Sequence, residues 1–190
     1  FKIGAYHDAV RYYRKVVKMR PNCALSNYNL ANSLNSVGQH DAAILRYKKA
    51  IRNKRNYADA FYALGNVYSS VGNYKKAVMH YKEAIRMQPE FAEAHNNLGI
   101  ALTKLGRQDE AIDHYYRATR IKPDYSQAYH NLAVILNICG KNEQAINICL
   151  KSIKINPKFV DAYYSLGLIF GALNRNDCLL YTSDAADDDH

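Results

Sequence analysis

The sequence predicts an all-α protein built as a solenoid of stacked helical hairpins. Three observations carry that prediction. A step of 34 residues joins Ala31, Gly65, Gly99, Ala133 and Gly167, and the same step joins Ala9, Ala43, Ala77, Ala111 and Ala145. It also joins Tyr13, Tyr47, Tyr81 and Tyr115 with Cys149, and Pro21, Arg55, Pro89, Pro123 and Pro157. Within 58–91, apolar residues recur twice at helical spacing, as Phe61, Leu64, Tyr68, Val71 and then Ala77, Val78, Tyr81, Ile85. Between those runs Gly72-Asn73 supplies a turn, and Pro89 closes the second run. A fixed period of this length is the mark of a stacked-repeat architecture.

Each column has a physical reason. Gly65 and Ala77 are small where the two helices of a hairpin cross, and Tyr81 fills the space beside them. Pro89 lacks the donor a helix needs and biases Gln88 away from helical geometry. One hairpin cannot bury both of its apolar faces, so it needs the next one stacked on it. In chain order the period predicts helices near 6–19, 24–37, 41–54, 58–71, 75–88, 92–105, 109–122, 126–139, 143–156 and 160–173. Residues 1–21 hold the second helix of a partial repeat. Complete repeats are expected at 24–57, 58–91, 92–125 and 126–159, then a lone first helix at 160–173. Both ends of the solenoid are thus expected to be truncated. The tail 178–190, which contains Cys178, shares nothing with the period and looks like the translation of a transposon-end adapter from a sequencing library. It is expected to be non-native or disordered and is left out of the functional reading.

Composition narrows the classes. At 48% apolar and 23% charged residues the chain is ordinary globular material, and it holds no apolar run long enough to span a membrane. Cys23, Cys139, Cys149 and Cys178 lack the paired spacing of zinc or redox sites, and Cys149 replaces a tyrosine in a packing column. Cysteines of this kind fit a reducing compartment, which points to an intracellular, cytoplasmic or nuclear location. The net charge is +9; with Asp184, Asp187, Asp188 and Asp189 of the tail set aside, the repeats carry +13. Such a charge invites a nucleic-acid reading. Its placement argues against one, because Lys18, Arg52, Arg86, Arg120 and Lys154 share one column in the last turn of each second helix, where a cation opposes the helix dipole. A basic outer face binding nucleic acid remains the minor alternative.

These columns resemble the tetratricopeptide repeat (TPR) over residues 1–173. The resemblance implies a right-handed α-α superhelix whose first helices line a concave groove that holds an extended peptide or a partner helix. Alignment on the small column places Tyr28 and Asn29, Tyr62 and Ala63, Asn96 and Asn97, His130 and Asn131, and Tyr164 and Ser165 on that face. Asn32 and Asn66 come one turn later, followed in the next repeats by Ile100, Val134 and Leu168. Asparagine is a poor helix-interior residue, so its recurrence on one face wants a reason. One reason is that a row of amides satisfies the backbone of a bound peptide without reading its sequence, while tyrosines add apolar contact. The other is that the asparagines bond within the solenoid, between adjacent first helices.

A groove that clamps a terminal carboxylate is not expected, since Tyr28, Tyr62, Asn96 and His130 occupy the column where a lysine is wanted. Phrases such as Phe91-Ala-Glu-Ala-His-Asn-Asn-Leu-Gly99 resemble the substrate-recruiting superhelix of O-GlcNAc transferase. Ala50-Ile-Arg-Asn-Lys-Arg-Asn-Tyr57 is similar to repeats of membrane-anchored O-mannosyltransferases of the endoplasmic reticulum. The first likeness implies the alternative function of a recruiting arm whose catalytic domain is missing; the second would place the chain in the reticulum lumen. No catalytic set, metal cluster or cofactor motif is visible. Gly140-Lys141 lacks the upstream glycine of a phosphate loop, and Glu110 with His114 reads as an ordinary helix-surface pair. The expected partner is therefore a protein or peptide, with no cofactor.

Overall fold

The computed structural model describes the backbone of residues 2–187 and the side chains of residues 5–173. Among the described residues are ten α-helices and no strand. They are α1 (Lys2–Met19), α2 (Ala24–Ser36), α3 (His40–Asn53), α4 (Ala58–Ser70), α5 (Tyr74–Met87), α6 (Ala92–Lys104), α7 (Gln108–Ile121), α8 (Ser126–Ile138), α9 (Asn142–Ile155) and α10 (Val160–Asp187). α10 continues beyond residue 173, where the period runs out. The side chains of the tail 178–190 lie outside the described residues. The chain forms two compact units, Phe1–Gly106 with α1 to α6 and Arg107–His190 with α7 to α10.

The turn between the helices of a hairpin is built by glycine. Gly72 has φ +77°, a conformation that costs a side-chain-bearing residue about 1 kcal/mol or more. Its N–H donates to the Ser69 carbonyl at 3.1 Å, and the Asn73 N–H donates to the Tyr68 carbonyl at 2.8 Å, which closes α4. The Asn73 side chain then accepts from the Lys76 N–H at 3.2 Å and opens α5. Gly38, Gly106 and Gly140 repeat the positive φ at the same column.

Proline is not required to end a second helix. α5 stops before Pro89 with Gln88 at φ −135°, ψ 87°, yet α3 stops at the same column with Lys54 at φ −138°, ψ 97°, although Arg55 stands where the proline would be. Packing supplies the reason. Tyr57, buried at the N-cap of α4, closes on Ala50 and Ala60. Its ring lies 5.1 Å from that of Tyr28. Burying a side chain of this size is worth about 2 kcal/mol, enough to hold the chain in its turn without help from proline.

Within unit 1, α2 pairs with α3 and α4 with α5, and the first helix α4 also touches α2 and α6. Among the described residues the second helices α1, α3 and α5 contact first helices but not each other. Unit 1 is thus closer packed on its first-helix side. At its centre Gly65 lies under the ring of Tyr81, so near that a Cβ there would meet Tyr81 Cε1 at 2.6 Å. In unit 2, α8 pairs with α9 and touches α10, over a core of Ala133, Cys149 and Ala162. No helix among the described residues is long and apolar enough to cross a membrane.

Candidate functional site

The first-helix face of unit 1 carries seven of the residues singled out from the sequence, and it joins four of them into one network. Tyr81 is 1% exposed, so its hydroxyl must find a partner inside the fold. It donates to Asn66 Oδ1 at 2.8 Å. The same oxygen accepts from Asn97 Nδ2 at 2.9 Å, and Asn97 Nδ2 also donates to the Tyr62 hydroxyl at 3.0 Å. Asn96 Nδ2 completes the series by donating to Asn97 Oδ1 at 3.1 Å. Burial pushes the Tyr62 and Tyr81 phenols above their ordinary range, so both stay neutral over the physiological range.

Asn32 lies one repeat earlier with the same arrangement, accepting from the Tyr47 hydroxyl at 2.5 Å. Burial raises that phenol too. Tyr28 belongs to an aromatic cluster, with Tyr57 at 5.1 Å and Tyr47 edge-on at 5.9 Å. The backbone carbonyl of Asn29 accepts from Ser33 Oγ at 3.0 Å, and its side chain is half-buried. Asn96 is 2% exposed and cannot meet a ligand directly; its amide orients Asn97 instead.

The remaining three lie in unit 2. His130 Nε2 is 2.9 Å from Ser165 Oγ, and the His130 ring meets Phe159 edge-on at 5.1 Å. Burial holds the His130 imidazole below its ordinary range and so neutral. Asn131 Oδ1 accepts from Gln127 Nε2 at 3.2 Å. Tyr164 is 69% exposed.

Two polar residues beside the groove columns turn out to be structural. Asn27, fully buried, donates to the Pro21 and Cys23 carbonyls at 3.0 and 2.9 Å, and buried His95 reaches the Pro89 carbonyl at 3.0 Å. Both close the preceding turn from six residues downstream. At the equivalent column Phe61 follows Arg55 and offers no donor. Sequence reasoning gave Tyr47 and Tyr81 the role of space-fillers and missed their hydroxyls. The signal was present: each stands fifteen residues after an asparagine of the face. Ser69, which was also missed, lines an open recess of about 240 Å³ with Asn66, Ser70, Tyr81, Asn97 and Ile100. Among the described residues no group of three or more histidine, cysteine, aspartate or glutamate side chains could hold a metal ion.

Helical hairpins at a period of 34 residues, glycine-closed turns and a polar first-helix face define a helical-repeat protein of the interaction-scaffold class. Three family models of one repeat match it: Tetratricopeptide repeat over residues 62–126, TPR repeat over 31–72 and 135–174, and Tetratricopeptide repeat over 114–147. Together they run without a gap from 31 to 174, and the chain belongs to the tetratricopeptide-repeat family. Among solved structures it is similar to MamA, at 26% identity and a TM-score of 0.77 over 82% of this chain and 91% of that one. It is also similar to YrrB, described as a TPR protein with an unusual peptide-binding site, at 26% identity and a TM-score of 0.75 over 96% and 95%. TTC0263, a thermophilic TPR protein of Thermus thermophilus, shares the fold at 20% identity and a TM-score of 0.68 over 89% and 92%. No curated protein sequence matches the chain.

Proposed function

We propose that this protein is a scaffold that binds an extended peptide segment of a partner protein on the first-helix face of unit 1, formed by α2, α4 and α6. The observation that carries the reading is the network of Tyr62, Asn66, Tyr81 and Asn97 at the open recess. An amide on a surface is a mobile group whose ordering costs free energy on binding. Here Tyr81 holds Asn66 from behind, and Tyr62 with Asn96 holds Asn97, so that cost is met in the free protein. A peptide backbone needs both donors and acceptors at fixed spacing, and only amides and hydroxyls offer both. The likeness to YrrB, whose own description is of a peptide-binding site, supports the same class of ligand. A recruiting arm of an O-glycosyltransferase would use this same face to hold its protein substrate.

The test takes a peptide selected by this chain from a random library and compares two variants. Asn97→Ala should weaken its binding about tenfold, the worth of one well-made bond to the ligand together with the loss of order in Asn66. Asn131→Ala, in unit 2, should change affinity less than twofold, and helicity should persist in both. Equal affinity for all three proteins would leave the asparagines a purely structural role.

A further inference from the structure

Unit 2 has a second recess, of about 320 Å³, lined by Tyr116, Arg117, Thr119 and Arg120 of α7, Tyr129 of α8 and Lys151 of α9. Three cations and two phenol rings therefore converge from three helices. Thr119 is committed elsewhere, its hydroxyl donating to the Tyr116 carbonyl at 3.0 Å. Arg117, Arg120 and Lys151 have no ion-pair partner among the described residues.

The repeat period shows how this came about. Arg120 falls in the column of cations that oppose the helix dipole, and one repeat earlier that column holds Arg86. Arg86 is paired with Glu83 at 2.9 Å, three residues back along α5. In α7 the position of Glu83 is occupied by Arg117, so an ion pair has become two like charges three residues apart, which an isolated helix disfavours. Lys151 brings a third charge from α9, with Asn147, Ile148, Lys154 and Ile155 at helical reach and no acid among them. Such a cluster is relieved by an anion that several donors can share, and guanidinium groups bind phosphate oxygens in pairs.

We infer that this recess binds a single phosphate monoester carried on a side chain of a partner protein. Arg117 and Arg120 supply forked donors, Lys151 a point charge, and the rings of Tyr116 and Tyr129 the apolar walls. The size of the recess suits one phosphorylated side chain. The charge around it selects against a nucleic acid, because Asp109 and Asp113 are exposed on the N-terminal half of the same helix and would repel a second phosphate placed along it. The site is independent of the first-helix face of unit 1.

The experiment measures fluorescence anisotropy of the full chain with a short glycine- and serine-based peptide carrying one central phosphoserine. Its unphosphorylated counterpart and a short oligouridylate serve as the other probes. The phosphorylated peptide should bind about tenfold tighter than its counterpart, and inorganic phosphate should compete with it. Arg117→Glu restores the pairing seen in α5, so it should leave the fold intact while abolishing the preference for phosphate. Arg86→Gln should leave that preference unchanged. Equal affinity for the two peptides would overturn the proposal, as would a preference that survives Arg117→Glu. Oligouridylate binding tighter than the phosphopeptide and lost on Arg117→Glu would also overturn it, since the recess would then be part of a polyanion surface.

Discussion

The repeats at 58–91 and 126–159 solve one packing problem with different atoms. In the first, Gly65 leaves room for the ring of Tyr81, and the buried phenol is answered by Asn66. In the second, Ala133, Cys149 and Val134 stand at those three columns. Cys149 is smaller, its thiol donates to the Ala162 carbonyl at 3.1 Å, and no amide is needed. In these two repeats the columns vary together, the ring with Gly65 and Asn66 and the thiol with Ala133 and Val134. Elsewhere Ala31 stands with Tyr47 and Ile100 with Tyr115. On the first-helix face of unit 1, Asn32 and Asn66 each answer a buried tyrosine behind them.

The largest effect separating the two regions should come from overpacking. Gly65→Leu drives a side chain into Tyr81 and should cost about 3 kcal/mol. Gly167→Leu, at the same column of α10, meets nothing within 4 Å and should be neutral or slightly stabilising, because leucine is the better helix former by about 0.8 kcal/mol. Urea denaturation followed by circular dichroism reads both. Equal costs would mean that the close approach at Gly65 is absent in solution.

Next comes the amide itself. Asn66→Val copies unit 2 but leaves the Tyr81 hydroxyl buried without its acceptor, for a loss of about 2 kcal/mol. In a Tyr81→Phe background the same change should cost about 1 kcal/mol less, and a double-mutant cycle measures the difference. Additive losses would deny the coupling.

A smaller difference appears with pH. Burial raises the Tyr47, Tyr62 and Tyr81 phenols of unit 1, so their neutral forms are favoured by folding. That contribution is complete below the ordinary tyrosine value of 10.0 and is lost as pH climbs above it. At the acid end His80 and His130 are lowered by burial, so folding favours the uncharged rings and stability declines as pH falls below 6.5. Thermal unfolding across the pH range shows both limbs. A midpoint that rises above pH 10.0 would contradict the burial of the three phenols.

Much of the fold was legible in the sequence because repetition reports the same constraint several times. The columns of Gly65, Ala77 and Tyr81, and the turn at Gly72-Asn73, locate the hairpins directly. Arg55 shows the limit of that reading: the period marks the column as a proline stop, while the structure ends the helix by seating Tyr57. The face was legible as a row of side chains but not as a network. Column position cannot distinguish Asn97, which is half-buried, from Asn96, which is 2% exposed. Nor does it show that Tyr81 and Asn97 share one oxygen of Asn66, since that depends on the spacing of three helices from two repeats. Of the two readings left open by the asparagines, bonding between adjacent first helices is the one that Asn66 and Asn97 display. In the proposed function, that same bonding is what readies them for a ligand.

The most direct test of the central claim is a site-specific photocrosslink. Benzoylphenylalanine placed at Ser69, on the recess of unit 1, is compared with the same group at exposed Tyr164 of unit 2, using one library-selected peptide. The account predicts a crosslinked product from Ser69 that unlabelled peptide suppresses, and little or none from Tyr164. A product formed at Tyr164 and absent at Ser69 would contradict it, because the ligand would then lie on a face without the tyrosine-held amides.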